Sequence, residues 1–118
     1  MTDEARVVFD RVAFDRQTGG DRALGMEILQ MFLEDCPARV AALRAAVERG
    51  DSPGIRTAAH TLRGSASYLW AMFVVDAAAR LERIGREGRL GEAAAALEQL
   101  ESAVAQLMPE LQRARLML

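Results

Sequence analysis

The stretch "AAHTLRGSAS", residues 58–67, holds the chain's one histidine, and its neighbours suit a reaction at that ring. Arg63 follows His60 by three residues and Gly64 follows it by four. In a helix, residues at those spacings share a face. Gly64 therefore strips side-chain bulk from the surface beside the imidazole, at a cost of about 1 kcal/mol relative to alanine. Arg63, and Arg56 one turn earlier, bring always-charged, fork-shaped donors that match phosphate. Ser67 adds a hydroxyl on the same side. An accessible nucleophilic nitrogen, cleared of bulk and flanked by positive charge, is what phosphoryl transfer to and from imidazole requires.

Helical register separates this group from the core. At about 100° per residue, with Ile55 as zero, Ala58, Ala59, Leu62, Ala66 and Leu69 all fall within about 60°. His60 lies about 140° away, on the side that also carries Arg56, Arg63, Gly64 and Ser67. A core histidine is thus disfavoured, and an ordinary solvent-exposed one is the plain alternative that Gly64 argues against. Other chemistries fit poorly. A metal site needs several ligands, and the chain has one histidine and one cysteine. A carboxylate-bridged di-iron bundle needs glutamate three residues before each of two histidines; Thr57 stands there, and there is no second histidine. Cys36 falls on an apolar stripe, as a core thiol would, so a Cys–His nucleophile pair is excluded. No phosphate-binding loop or dinucleotide fingerprint occurs, so the parts of a kinase or ATPase are missing. Whether such a carrier counts as an enzyme stays open at this point.

The whole chain is consistent with a small helical domain. Its 118 residues suffice for one domain, 1–118, with one core. Alanine, leucine, arginine and glutamate dominate, which favours helices. Net charge is −2 and the sequence contains no lysine. The absence of a basic arm argues against a nucleic-acid partner. The start, "MTDEARVVFD", is acidic and reads as no signal peptide. No apolar run approaches the roughly 20 residues of a membrane span. Cys36 alone forms no intramolecular disulfide. A soluble cytoplasmic domain is expected.

The elements that must hold His60 are marked by caps and stripes. A short helix is expected over residues 10–17, capped by Asp10 and stopped at Gly19-Gly20. Asp21 caps a long helix over 21–49, whose stripe is Leu24, Ile28, Phe32, Cys36, Val40, Leu43 and Val47. The stripe stays in phase through Pro37, so one kinked helix is expected there. In "RGDSPG", Asp51 or Ser52 can cap and Pro53 suits the first turn of a histidine helix over 53–69. A helix over 71–86 turns Val74, Ala78, Leu81 and Ile84 inward, and Gly85, Gly88 and Gly91 are read as the next turn. The last helix, 91–115, carries Leu97, Leu100, Val104, Leu107 and Leu111, with Pro109 expected to kink or fray it. Four long amphipathic helices with short turns predict an all-α, antiparallel up-down four-helix bundle with a short extra N-terminal helix.

With those residues in view, the chain resembles the histidine-containing phosphotransfer (HPt) domain family. The family motif is roughly H-x-x-[KR]-G after alanines and before small residues, and here it reads "AAHTLRGSAS". "FDRVAFDRQTGGD", "EILQMFLEDCPARVAALRAAVERGD" and "AAARLERIGREG" resemble the flanking helices of the family. The resemblance implies a two-component phosphorelay carrier with His60 as phospho-acceptor, Arg63 steadying the phosphoryl group and Gly64 leaving room for it. It implies receiver domains of response regulators or a hybrid histidine kinase as partners. No cofactor is implied on this chain, the Mg²⁺ being expected on the receiver. An HPt-like module that only binds a receiver or forms a homodimer is the alternative. Two positions depart from the family. Trp70 stands where a second glycine is common, and Tyr68 where a small polar residue is. Tyr68, Trp70, Met72 and Phe73 are read as a docking surface, unless Trp70 is core or the N-terminal helix, with Phe9 and Phe14, covers them.

Overall fold

The computed structural model describes residues 8–117, so the reading of the first seven residues as no signal segment lies outside it. Five α-helices follow one another: α1 Arg11–Gln17, α2 Arg22–Arg49, α3 Ser52–Tyr68, α4 Met72–Glu87 and α5 Ala93–Met117. A short 3-10 turn, Leu90–Glu92, precedes α5. Among the described residues there is no strand.

Three aspartates start the first three helices. Asp10, Asp21 and Asp51 each accept from the backbone N–H three residues on, at 3.0 Å. Each bond satisfies one of the donors that a helix N-terminus leaves without a partner. Asp51 is thus the cap of α3, with Ser52 and Pro53 inside the first turn.

Neighbouring long helices run in opposite directions. Arg44 pairs with Glu101, and Arg115 reaches Gln30, so α2 and α5 pass head to tail. Arg80 on α4 donates to Gln99 on α5. The end of α4, at Gly85, touches the start of α3, at Ser52 and Arg56. Each of α2, α3, α4 and α5 contacts two of the others, and the core fills the space between them. Ile55, Ala59, Leu62 and Ala66 of α3, and Leu69 at its C-cap, are fully buried, as are Ala78 and Leu81 of α4. Each such leucine or isoleucine contributes roughly 1.5–3 kcal/mol.

Several expectations change. Leu24 is exposed, and Gly25 and Leu29 are buried in its place, so the stripe enters α2 one residue later than the spacing indicated. Pro37 lies inside one continuous helix, as its in-phase stripe indicated, and Pro109 lies inside another. Pro109 does not end α5: Leu111 and Ala114 beyond it are buried, and their packing outweighs the lost backbone bond. Gly85 is not part of a turn. It is a buried residue of α4, and glycine serves there because another helix backbone passes against it.

Trp70 explains one departure from the family pattern. At the end of α3, Trp70 N–H donates to Ser67 O and Ala71 N–H to Ala66 O, at 3.0 and 3.1 Å. This pair of bonds is a Schellman motif, which puts one residue in the left-handed region. That residue is Trp70, at φ 57°. Gly50 and Gly88 hold the same conformation after α2 and α4, without the penalty a side chain brings. The indole compensates: its Nε1–H donates to Gln17 Oε1 at 2.9 Å, and the Trp70 carbonyl accepts from Asp10 N–H. Trp70 therefore ties α1 to the α3–α4 turn. Trp70→Ala keeps the strained backbone and loses the indole, whereas Trp70→Gly loses the indole and the strain together. Urea denaturation should show the glycine variant more stable than the alanine variant by about 1 kcal/mol. The reverse order would show that the backbone strain is not significant.

Candidate functional site

His60 stands on α3 facing α4, with its side chain 65% exposed. Its Nδ1 lies 2.9 Å from Glu82 Oε2 on α4. Arg63 Nε donates to the other oxygen, Glu82 Oε1, at 2.6 Å. Glu82 itself is nearly enclosed, at 14% side-chain exposure. Arg63 Nη2 also comes within 3.2 Å of His60 Nδ1.

These contacts assign the ring's proton. Burial pushes the Glu82 carboxyl up, but the hydrogen bonds from His60 and Arg63 and the guanidinium charge outweigh it and hold the group below its ordinary value. Glu82 is therefore a carboxylate at neutral pH and can only accept. Nδ1 must carry a proton to donate to it, so the short approach of Arg63 Nη2 to Nδ1 sets two donors side by side and is not a second hydrogen bond. The proton on Nδ1 leaves the lone pair of the neutral ring on Nε2. Among the described residues Nε2 has no hydrogen-bond partner, and the side chain that carries it is largely exposed.

The depressed carboxyl has a consequence for stability. A group whose folded-state value is lowered stabilises the fold above the ordinary carboxylate range and loses that contribution as pH falls through it. Glu82→Gln should thus be less stable than the native chain near neutral pH. The gap should narrow at a second, acidic pH below the ordinary carboxylate range, as the native carboxylate takes up its proton. Chemical denaturation at the two pH values reads this directly, and a gap of constant size would rule out the ion pair as its source.

Gly64 lies on the exposed surface, and a Cβ built there meets nothing within 4 Å. Nothing in the chain itself requires glycine at this position, so any clearance it provides is for a molecule outside. Arg56 lines a hollow of about 330 Å³ together with Pro53, Thr57, His60, Thr61 and Glu82. Ser67 is not brought to the ring: seven residues place it about 10 Å further along the helix axis.

The structure splits the residues read as a docking surface. Tyr68, Trp70 and Met72 are exposed. Tyr68 lines an apolar hollow of about 230 Å³ between α2 and α3, with Ile28, Met31 and Leu69. Phe73 is half-buried and turns instead to the groove between α4 and α5, with Ala77, Gln99 and Ala103. Of the two residues expected to cover this cluster, Phe14 is fully buried in the core and stacks obliquely on Phe9, ring centroids 5.5 Å apart.

Glu82 is not among the residues that the sequence singles out. Only one signal pointed to it. It sits beside the inward residue Leu81 and one turn before Gly85, on the edge of α4 that a close-packed neighbour must face.

The fold is thus a helical bundle that displays one histidine, with its Nδ1 held by a carboxylate. The sequence matches the Hpt domain family over residues 27–110, and the chain belongs to that family. In fold it is similar to the crystal structure of histidine-containing phosphotransfer protein B (HptB) from Pseudomonas aeruginosa PAO1. That likeness has a TM-score of 0.89 at 24% identity and covers 97% of this chain and 99% of that one. No curated protein matches the sequence. Among the described residues no helix is long and apolar enough to cross a membrane.

Proposed function

We propose that this chain carries a phosphoryl group on His60 Nε2 in a phosphorelay, between aspartates of receiver domains or from a histidine kinase to a receiver. The observation that carries this reading is the 2.9 Å contact between His60 Nδ1 and Glu82, which leaves Nε2 unprotonated at an exposed surface. In the accepting step the Nε2 lone pair attacks phosphorus. The bond between phosphorus and the acyl oxygen breaks, and the aspartate leaves as a carboxylate. The ring becomes cationic, its proton stays on Nδ1, and Glu82 faces that new charge. The hydrogen bond to a charged group is worth about 1 kcal/mol at so exposed a ring. Donation to the next receiver is the same step in reverse.

In this reading Gly64 leaves room for the receiver surface, and Arg56 and Arg63 supply positive charge beside the transferring group. Mg²⁺ belongs to the receiver. The cytoplasm, where receivers meet their kinases, is the compartment this role requires. A module that binds receivers without carrying phosphate would have no use for the His60–Glu82 pair. The test is to mix the chain with a panel of receiver domains charged from labelled acetyl phosphate. Label should move to this chain in an acid-labile, alkali-stable form. Stable binding to a charged receiver without any label transfer would favour the interaction-only role.

A further inference from the structure

The two arginines beside His60 are in different circumstances. Arg63 is committed. Its Nε is bound to Glu82 at 2.6 Å, and its Nη2 lies against the Nδ1 edge of the ring, the edge that does not react in the carrier reading. The charges of Arg63 and Glu82 cancel locally. Arg56 is free of any ion pair among the described residues, and its side chain is exposed. It lines the hollow that His60 shares with Pro53, Thr57 and Thr61, a hollow to which Arg63 does not contribute. Its base is nevertheless fixed. The Arg56 backbone N and Cα would lie 2.6 and 3.0 Å from a Cβ at Gly85, so α4 packs close against α3 there. A fixed backbone with a free head suits a side chain that must meet an incoming anion.

We propose that the two arginines divide the work: Arg56 meets the phosphoryl group at Nε2, and Arg63 is a positioning residue that keeps the Glu82 carboxylate aimed at Nδ1. This rests on the carrier reading above. It takes from Arg63 the leading contact with phosphate that the family motif implies for it, because its Nε–H and its charge are already engaged by Glu82. An arriving phosphoryl dianion meets a neutral Arg63–Glu82 pair on one side and an uncompensated cation, Arg56, on the other.

The test uses the full chain and phosphoramidate as donor, so that no receiver adds charge of its own. The Nε2 lone pair attacks phosphorus, the phosphorus–nitrogen bond breaks, and ammonia leaves with the electron pair while the ring proton stays on Nδ1. The rate of phosphohistidine formation is followed by ³¹P NMR. Arg56→Ala should slow it roughly tenfold or more, as loss of one charge-assisted contact does, and Arg56→Lys should recover part. Added salt should slow the native chain more than Arg56→Ala. Arg63→Ala should also slow the reaction, but in a Glu82→Gln background it should add nothing, whereas Arg56→Ala should multiply with Glu82→Gln. Arg63→Lys, which can still pair with Glu82, should restore most of the rate.

A spectroscopic signature separates positioning from mere structure. The chain has one histidine, so its ring ¹⁵N signals stand alone. Arg63→Ala should move the neutral ring toward the Nε2–H tautomer, and Arg56→Ala should leave the tautomer unchanged. The division of labour is overturned if the native chain is phosphorylated and Arg56→Ala reacts at the native rate. It is equally overturned if Arg63→Ala keeps its full effect without the Glu82 carboxylate. A native chain that takes phosphate neither from phosphoramidate nor from any charged receiver overturns the carrier reading itself, and this inference with it.

Discussion

His60→Gln is expected to fold as the native chain does and to accept no phosphate from any charged receiver. The folding half follows from position: the side chain projects from the solvent side of α3, opposite Ile55, Ala59 and Leu62, and is 65% exposed. Glutamine is a good helix former, and its amide can still donate to Glu82. The chemical half follows from the lack of a substitute. There is no second histidine. Cys36 is buried, and burial pushes its thiol up to about 11, so it offers neither access nor thiolate at neutral pH. Label transfer should fall to background while the unfolding free energy stays within the small range typical of surface substitutions, about 0.5 kcal/mol. Transfer that survives in this variant would move the phospho-acceptor elsewhere and dissolve the functional reading.

Gly85→Val is expected to damage stability and site together. A Cβ at Gly85 would lie 2.6 Å from Arg56 N and 2.8 Å from Ser52 O. Both are backbone atoms and cannot turn away, so α3 and α4 must separate. Overpacking of this kind costs about 1–3 kcal/mol, and a branched side chain belongs at the upper end. Glu82 lies one turn before Gly85 on the same helix, so the separation also opens the 2.9 Å bond to His60. The variant should unfold at lower urea concentration, and its folded fraction should lose the fixed Nδ1–H tautomer. Gly64→Ala provides the contrast. Nothing stands within 4 Å of its Cβ, so it should raise stability by up to about 1 kcal/mol, the ordinary helix preference for alanine. Two glycines of the same bundle thus respond with opposite sign. If Gly85→Val were as stable as the native chain, the tight α3–α4 contact would not be what holds Glu82 against the ring.

Much of this protein is local and was therefore legible in the sequence. Asp10, Asp21 and Asp51 cap their helices through bonds spanning three residues, and such bonds need nothing from the rest of the chain. The stripe Ile55, Ala59, Leu62, Ala66 and Leu69 sets the register of α3, and that register alone puts His60, Arg63 and Gly64 on the outside. The motif "HTLRG" within its flanking helices also carried the family resemblance. What the sequence left undecided depends on which helix faces which, and at what distance. Glu82 is one of many surface-patterned glutamates until α4 is set against α3, and only that contact makes it the partner of His60 and Arg63. Gly85 reads as a turn residue because glycine commonly ends helices, and only the passing backbone of Arg56 shows why it lies inside one. Leu24 fits the α2 stripe by spacing yet is exposed, while Gly25 and Leu29 face the core. Trp70 reads as core or as docking surface, and its positive φ and its bond to Gln17 appear only once α1 is folded across the α3–α4 turn. Periodicity determines which face of a helix is apolar. Distances between side chains on different helices follow from packing, and that is where the proton on Nδ1, the open Nε2 and the unequal roles of the two arginines are decided.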